Sequence, residues 1–435
     1  MPAPQQLRVR EIWSFYGPLV LTSQMMTLSN PLINLHISRG ADPTVELAAY
    51  SVCFGVTVFL HAPLLITPNV SAGLVKGPAS YRQVLRSALQ LGIVLAAIDL
   101  ALAFTPLGRL VFEGALDCTP RVAAQAQRTA ASFAPIPILL GLRGMGMGLA
   151  MSGKRTGHLS RSTLSRLSSI VLFLALAYAM KWHAAPQAAW ALTLGIAAET
   201  LWITWRTRNM LRALDSPDDA PLPGRRMVDF ALPLALSGYA WTGLRPLVNG
   251  ILGRCADSEA AQASFGVIHP LILLAASALW GLQATGQVLA TDRERARSFL
   301  GFAFLTTLIL ATAIGGLGWV EPLRVWLLTR AFTLPPRLLE YVEPAMGLLF
   351  LAPFFLGLRA ATKGVILATG NTGIITWSSG FYLGTAALVG LTVVNVSPAV
   401  NGAVLGVTLI ALVEMVEAVI LGITASRRLN LMRPQ

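Results

Sequence analysis

The chain has 435 residues, of which 54% are hydrophobic and only 12% charged, whereas soluble domains carry about 25% charged residues. This deficit excludes an ordinary soluble protein, so the net charge of +13 does not indicate a nucleic-acid partner. The basic residues lie in short loops between long apolar runs, which is the pattern of a polytopic membrane protein.

Twelve apolar segments are long enough to cross a bilayer, which takes about 20 residues per helix. They lie at 14–38, 46–75, 84–106, 122–151, 161–181, 187–211, 228–252, 259–290, 297–319, 338–368, 373–395 and 401–426. Several exceed a minimal span, so tilt or kinks are expected. Prolines that allow bends in the first-half spans lie at positions 18, 31, 63, 68, 135 and 137.

One segment between the sixth and seventh spans is rich in acids and prolines, LDSPDDAPLPGRR at 214–226. We interpret it as a cytoplasmic linker between an N-terminal lobe (1–213) and a C-terminal lobe (227–435), each with six spans. With the N-terminus inside, the inner segments hold 20 of the Lys and Arg residues and the outer segments hold 9. This excess favours a cytoplasmic (inner or plasma) membrane protein with both termini in the cytoplasm. The N-terminus lacks a signal-peptide pattern, so the first span is expected to direct insertion.

The two halves repeat each other in sequence. PLINLHISRGAD at 31–42 and PLVNGILGRCAD at 246–257 agree at six of twelve positions. PILLGLRGMGMGLAMSGKRTG at 137–157 and PFFLGLRAATKGVILATGNTG at 353–373 agree at eight of 21 positions. The offset between these two stretches is one position longer than the offset between the first two. Glu199 and Glu414 share the offset of the first pair. Because each half has an even number of spans, the duplication predicts two six-helix lobes related by a pseudo-two-fold axis along the membrane normal. Such bundles are typical of transporters, with a site near the midplane between the halves.

Charged residues inside the predicted spans are the main candidates for function. The basic ones are Arg143, Arg245, Arg359 and Lys363, and the acidic ones are Asp99, Glu199, Glu414 and Glu417. Each charge at a helix centre costs about 2.5–3.5 kcal/mol on insertion scales, so such residues usually face a bundle interior or a cavity. Two interpretations stay open. The basic residues line a cationic cavity that binds an anion, or they pair with the glutamates, which neutralise them or carry protons.

Arg245 differs from the other basic residues because its counterpart in the first half is the neutral Asn30. A duplicated structural role does not explain it, so it is the first candidate for a substrate ligand. Asn34 and Asn249 each follow a proline by three positions. They are either further substrate ligands or hydrogen-bond donors to a carbonyl freed near the kink.

No sequence feature indicates an enzyme. The three cysteines and five histidines have no metal-ligand spacing, and no phosphate loop, nucleophile elbow or catalytic triad is present. We therefore predict no enzyme activity, no metal site and no cofactor. A non-transporting scaffold or receptor would carry long soluble segments for its partners, which this sequence lacks. We expect a monomer in the bilayer whose partner is a small anionic metabolite.

Two six-span halves, a mid-chain linker and glycine-rich fourth and tenth spans resemble the multidrug, oligosaccharide-lipid and polysaccharide (MOP) exporter superfamily, which has a MATE-like fold. The second half is most similar to the progressive ankylosis (ANKH) family. The residues that carry this resemblance are Pro233-Leu-Ala-Leu, Arg245-Pro246 with Val248-Asn249 and Arg254, Arg359-Ala360 with Gly364, and Glu46-Leu-Ala-Ala-Tyr50 in the first half. The resemblance implies export of organic anions such as citrate, nucleotides or pyrophosphate by alternating access, with Arg245 and Arg359 in the family role.

Two other branches of the superfamily are alternatives. A MATE-type multidrug antiporter, coupled to H⁺ or Na⁺, usually has a carboxylate in its first span. The first span here, FYGPLVLTSQMMTLSNPLINLHIS, has no acid. Flippases for lipid-linked oligosaccharides also have cationic cavities, but they often carry additional spans.

Overall fold

A computed structural model describes residues 7–153, 157–212, 219, 223–368 and 373–431. The helices of the first half are α1 (Val9–Thr27), α2 (Ser29–Ile37), α3 (Pro43–Leu60), α4 (Ala62–Leu65), α5 (Thr67–Leu74), α6 (Pro78–Phe104), α7 (Pro106–Arg109), α8 (Pro120–Phe133), α9 (Ile136–Ser152), α10 (Gly157–Ala179) and α11 (Ala185–Arg212). Those of the second half are α12 (Gly224–Thr242), α13 (Leu244–Leu252), α14 (Ser258–Leu289), α15 (Arg293–Trp319), α16 (Glu321–Val325), α17 (Pro336–Met346), α18 (Leu351–Ala368), α19 (Gly373–Val396) and α20 (Gly402–Leu431). π-Helical turns follow α7 and α16.

Helices cover all twelve predicted spans, and the chain is an all-α, multi-pass membrane protein. Eight helical segments are by themselves long and apolar enough to cross a membrane. The first, second, fourth, seventh and tenth spans consist of two or three shorter helices in succession. Pro63, Pro68 and Pro137 lie in the first turns of α4, α5 and α9, where a missing backbone N–H breaks no helical hydrogen bond. The expected bends are therefore present at these three prolines.

The repeated sequence corresponds to repeated structure. Asp42 and Asp257 are the last residues of the repeated stretches 31–42 and 246–257. They cap the N-termini of α3 and α14. Each also binds an arginine in the first turn of a later helix: Arg121 lies 2.5 Å from Asp42, and Arg337 lies 2.7 Å from Asp257. The π-helical turns at Leu110–Ala115 and Trp326–Ala331 are separated by the same offset as the repeated stretches 137–157 and 353–373. Both copies therefore keep the same caps, ion pairs and helix irregularities.

By contacts the chain forms two compact units, which we describe separately. The N unit comprises residues 32–253, and the C unit comprises residues 1–31 and 254–435. In the N unit, α3 packs on α8 and α13, α9 packs on α5, α6 and α11, and α12 packs on α4. In the C unit, α18 packs on α14, α15 and α20, and α19 packs on α20.

These contact units differ from the predicted sequential halves, 1–213 and 227–435, because α1 belongs to the C unit and α12 and α13 belong to the N unit. In the C unit, the buried Tyr16 hydroxyl of α1 donates to the carbonyl of Ala278 at 3.1 Å. In the N unit, Met227 of α12 packs on the buried Val70 and Val84. Packing between helices that are far apart in sequence thus determines which unit each helix belongs to. The sequential halves remain a prediction about how the chain was duplicated.

The predicted linker is described only in part. Asp219 accepts hydrogen bonds from the backbone N–H groups of Ala79 and Ser80, at 2.7 and 3.0 Å, and from the Ser80 hydroxyl. It therefore satisfies the first turn of α6 from outside the helix. The remainder of 214–226, other than 223–226, lies outside the described residues, as do Lys154, Arg155 and Arg433 of the charge count.

Candidate functional site

Arg245 is a buried cation on α13 of the N unit. Its side chain lies against α3, with the guanidinium carbon 4.6 Å from the centre of the Phe54 ring. The residue is 7% exposed. Its Nε and Nη2 atoms have no hydrogen-bond partner, and it forms no ion pair with any residue that the structure describes. Gly55 leaves the space for it, since an added Cβ there would lie 3.3 Å from Arg245 Cγ.

Asn249 lies one turn after Arg245 and attaches α13 to α3. Its Nδ2 donates to the carbonyl of Ser51 at 3.3 Å, and the Ser51 hydroxyl donates to its Oδ1 at 3.5 Å. These two hydrogen bonds join α13 to α3. This contact sets the position from which Arg245 reaches the neighbourhood of Phe54.

Arg143 and Glu199 form a buried ion pair between α9 and α11 of the N unit. Arg143 Nη1 lies 2.8 Å from Glu199 Oε2, as the charge-pairing interpretation expects. Arg166 of α10 lies 3.7 Å from the same oxygen, and its side chain is 12% exposed. Arg166 is not among the sequence-based candidates, because it lies near the start of the fifth predicted span, 161–181, where a charge resembles a loop residue. It lies within α10, which extends from Gly157 to Ala179.

Tyr50 joins these arginines into one cluster. Its buried hydroxyl interacts electrostatically with both Arg245 and Arg166, and its ring stacks on Phe54 at 5.8 Å. Arg166 in turn interacts with Arg143 and Glu199. The N-unit cluster, formed by the residues Tyr50, Arg143, Arg166, Glu199 and Arg245, thus contains three arginines and one carboxylate. It has two positive charges in excess, and an anion would offset their burial.

The C unit has a comparable cluster whose charges balance. Arg359 binds Glu414 through Nε at 2.5 Å and Glu417 through Nη1 at 3.2 Å. Lys363 interacts electrostatically with both acids and with Arg359. Tyr382 donates to Glu414 at 2.7 Å, and Ser378 donates to Glu417 at 2.9 Å. Two cations meet two carboxylates here, so this C-unit cluster needs no further anion for neutrality.

The two clusters are related by the chain repeat. Arg143 and Glu199 match Arg359 and Glu414 at the two offsets found in the repeated stretches. Other positions carry charge in one copy only. Pairs of this kind are Arg245 with Asn30, Arg166 with Tyr382, Lys363 with Met147, Glu417 with Trp202, Asp99 with Ile314 and His61 with Ala276. A duplicated scaffold explains the shared ion pairs, whereas the unshared charges must serve something that only one copy does.

The remaining candidates lie apart from these contacts. Asn30 falls in the C unit, at the start of α2, and Asn34 is buried further along α2 in the N unit. Asp99 is fully buried in α6 and binds His61 at 2.7 Å. Asp99 is a sequence-based candidate, but its partner His61 is not, because the two residues lie on different elements.

Comparisons with known proteins identify the fold. No protein-family model and no curated protein matches the chain. Among solved structures, the MATE multidrug transporter DinF-BH matches with a TM-score of 0.69 at 15% identity, over 99% of both chains. The lipid II flippase MurJ, in an inward closed conformation, matches with a TM-score of 0.71 at 9% identity, over 94% of this chain and 87% of its own. An inward-facing MATE-family multidrug resistance transporter of the MOP superfamily matches with a TM-score of 0.67 at 14% identity, over 95% and 98%. The chain therefore has the MATE-like fold of MOP-superfamily transporters.

Proposed function

We propose that this chain is a secondary transporter that exports organic anions by alternating access and that the N-unit cluster holds the anion. Arg245 is the observation that carries this proposal. A buried guanidinium without a carboxylate partner is costly, and a bound anion would offset that cost. Arginine also grips a carboxylate or phosphate through two parallel hydrogen bonds, for which Nε and Nη2 of Arg245 are unoccupied.

The cluster suits an anion with more than one negative charge. Arg245 and Arg166 are both in excess over Glu199, and the Tyr50 hydroxyl, which has no hydrogen-bond partner among the described residues, can donate to an anion between them. Arg143 keeps an unoccupied Nε beside its ion pair. Citrate, nucleotides and pyrophosphate, the substrates that the ANKH resemblance implies, all carry several charges.

The other candidate residues take supporting roles in this proposal. Asn249 positions Arg245 through Ser51. Arg359 and Lys363 remain candidate ligands of the C unit, but their acids already neutralise them, so we assign them a weaker contribution. Glu199 and Glu414 hold the arginines when no substrate is bound. The proposed location is the cytoplasmic membrane, with both termini in the cytoplasm.

A second candidate function is transport of a lipid-linked anion, which is favoured by the shared fold with the lipid II flippase MurJ. Export of cationic drugs, which the MATE matches suggest, conflicts with the positive charge of the N-unit cluster. These alternatives differ in substrate charge and in attachment to lipid, so one flux experiment separates them.

Purified protein in liposomes tests the proposal with radiolabelled citrate, a cationic dye and a fluorescent lipid-linked diphosphate. We expect citrate flux that falls about thirtyfold or more in Arg245→Ala, the equivalent of roughly 2 kcal/mol. Arg337→Ala is the matched control, because it removes an exposed arginine from the C unit. Flux of the dye alone, or of the lipid alone, would overturn the assignment.

A further inference from the structure

His61 and Asp99 form a buried polar pair that the proposed anion site does not use. His61 lies at the junction between α3 and α4 and is 2% exposed, and Asp99 lies within α6 and is fully buried. His61 Nε2 lies 2.7 Å from Asp99 Oδ2. Asp99 Oδ1 has no hydrogen-bond partner among the residues that the structure describes.

This pair exists in only one copy of the repeat. The equivalent positions in the C unit are Ala276 and Ile314, both apolar. They follow His61 and Asp99 by the same offset that separates the repeated stretches 31–42 and 246–257. The duplicated scaffold therefore folds without a histidine and an aspartate at these places. Burying a carboxylate in a membrane span costs free energy, so its presence in the N unit calls for a function beyond packing.

One face of α3 connects the pair to the anion site. Tyr50, Cys53, Thr57 and His61 follow one another at helical spacing, so their side chains lie along one face. Tyr50 interacts with Arg245 at one end of this face, and Cys53 interacts with Asp99 toward the other. Three turns of helix separate Tyr50 from His61, which is about 16 Å along the axis.

We propose that the His61–Asp99 pair is a proton-binding site whose proton binds together with the anion. The short contact assigns the hydrogen to Nε2, so the neutral imidazole can take a second proton at Nδ1. The pair then changes from one negative charge to zero, and the proton comes from water. At about 16 Å and an effective dielectric of about 20, the lost negative charge strengthens anion binding about fivefold per anionic charge. This inference rests on the proposed function for its anion, but not for its proton.

Other titratable groups lie on the helices packed around the pair. The elements packed against α3, α4 and α6 include α7, α8, α9, α11, α12 and α13. The elements around the pair, including α3 and α6 themselves, bring the following titratable residues: Glu46, Tyr50 and Cys53 of α3, Tyr81, Arg82 and Arg86 of α6, Arg109 of α7, Arg121 and Arg128 of α8, Arg143 of α9, Glu199, Arg206 and Arg208 of α11, Arg225, Arg226, Asp229 and Tyr239 of α12, and Arg245 of α13. Of these, Cys53 interacts electrostatically with Asp99. Arginines keep their charge over the range in which histidine titrates, so they do not account for a pH dependence there.

The test combines a direct titration with a binding measurement on the full chain. ¹⁵N-histidine NMR of wild-type protein and His61→Gln identifies the His61 signal by difference. We expect this signal to report a second ring proton as the pH is lowered from about 8 to about 5, and to respond differently in Asp99→Asn. Citrate affinity is measured over the same pH range in wild type and His61→Gln. Citrate itself gains protons to the same extent in the measurements on wild type and on His61→Gln. Only the difference between the two pH dependences of the affinity therefore reports on His61.

The expected difference is an affinity of wild type for citrate that rises about 25-fold more on acidification than that of His61→Gln, because citrate carries at least two negative charges and each contributes about fivefold. His36→Gln is the matched control, because His36 is also buried but binds the backbone carbonyl of Trp182. A His61 signal that does not titrate would overturn the proton site, and identical pH dependences would overturn the coupling. If wild type bound no citrate at any pH, the proposed function would fail, and the NMR titration alone would decide on the proton site. Asp99→Asn, which is isosteric, serves if His61→Gln does not fold.

Discussion

Arg166 and Tyr382 occupy equivalent positions in the two copies of the chain, and each contacts the glutamate of its own unit. Arg166 Nη1 lies 3.7 Å from Glu199, and the Tyr382 hydroxyl lies 2.7 Å from Glu414. The same place is thus a cation in one unit and a neutral donor in the other. This difference, together with Arg245, makes the N-unit cluster positive and leaves the C-unit cluster balanced.

The first prediction exchanges these two roles. Arg166→Tyr keeps a donor beside Glu199 but removes one excess charge, and the C unit shows that the scaffold accepts tyrosine at this place. We expect citrate affinity to fall about tenfold, or roughly 1.4 kcal/mol, as measured by isothermal titration calorimetry. Tyr382→Phe is the control and should leave the affinity unchanged. An equal loss in both variants would argue that neither residue senses the charge of the substrate.

The second prediction concerns stability at Arg245. Arg245→Met removes an unpaired buried charge, so the ligand-free protein should unfold at the same temperature or higher, gaining about 1 kcal/mol or more. Arg359→Met leaves Glu414 and Glu417 without their arginine and should cost about 3–5 kcal/mol. Thermal unfolding of both variants in detergent gives the comparison. A strong destabilisation by Arg245→Met would mean that Arg245 supports the fold.

The third prediction uses the two glutamates as a matched pair. Glu199→Gln and Glu414→Gln each break a buried ion pair, and each should cost about 3–5 kcal/mol. Excess citrate should restore stability only in Glu199→Gln, because a ligand that binds the folded state raises its unfolding temperature and the anion then replaces the lost carboxylate beside three arginines. The measurement is the unfolding temperature with and without citrate. Rescue of both variants, or of neither, would contradict the difference between the clusters.

The fourth prediction concerns Asp219, which lies outside the spans. Hydrogen bonds from the backbone N–H of Ser80, from the N–H of Ala79 and from the Ser80 hydroxyl lower the pKa of Asp219. A carboxyl whose pKa is lower in the folded protein stabilises the contact above its ordinary pKa of about 4, and the contact is lost as the pH falls through the lower folded value. Hydrogen exchange at Ala79 and Ser80 should therefore stay slow from about pH 8 to pH 5, after correction for intrinsic rates.

Asp219→Ala should speed exchange at these two amides about tenfold. Asp229→Ala is the control, because Asp229 is exposed and pairs with Arg225, 3.8 Å away within the same helix. Unchanged protection in Asp219→Ala would show that α6 does not depend on this contact.

Hydropathy and the chain repeat predicted the spans, and they offered the pairing of Arg143 with Glu199 and of Arg359 with Glu414 as one of two interpretations, because both signals lie in short stretches of sequence. The sequence carries no such signal for the assignment of α1 to the C unit and of α12 and α13 to the N unit, since it depends on which apolar faces fit each other. Arg166 was missed because a charge near a span end resembles a loop residue. His61 was missed as the partner of Asp99 because a contact between separate helices has no fixed spacing. Arg245 was found because the two copies disagree there.

A density map of the chain with bound citrate tests the central claim most directly. We expect ligand density within hydrogen-bond distance of Arg245 Nη2, extending toward Arg166 and the Tyr50 hydroxyl. Density only beside Arg359 and Lys363, with Arg245 still without a partner, would contradict it.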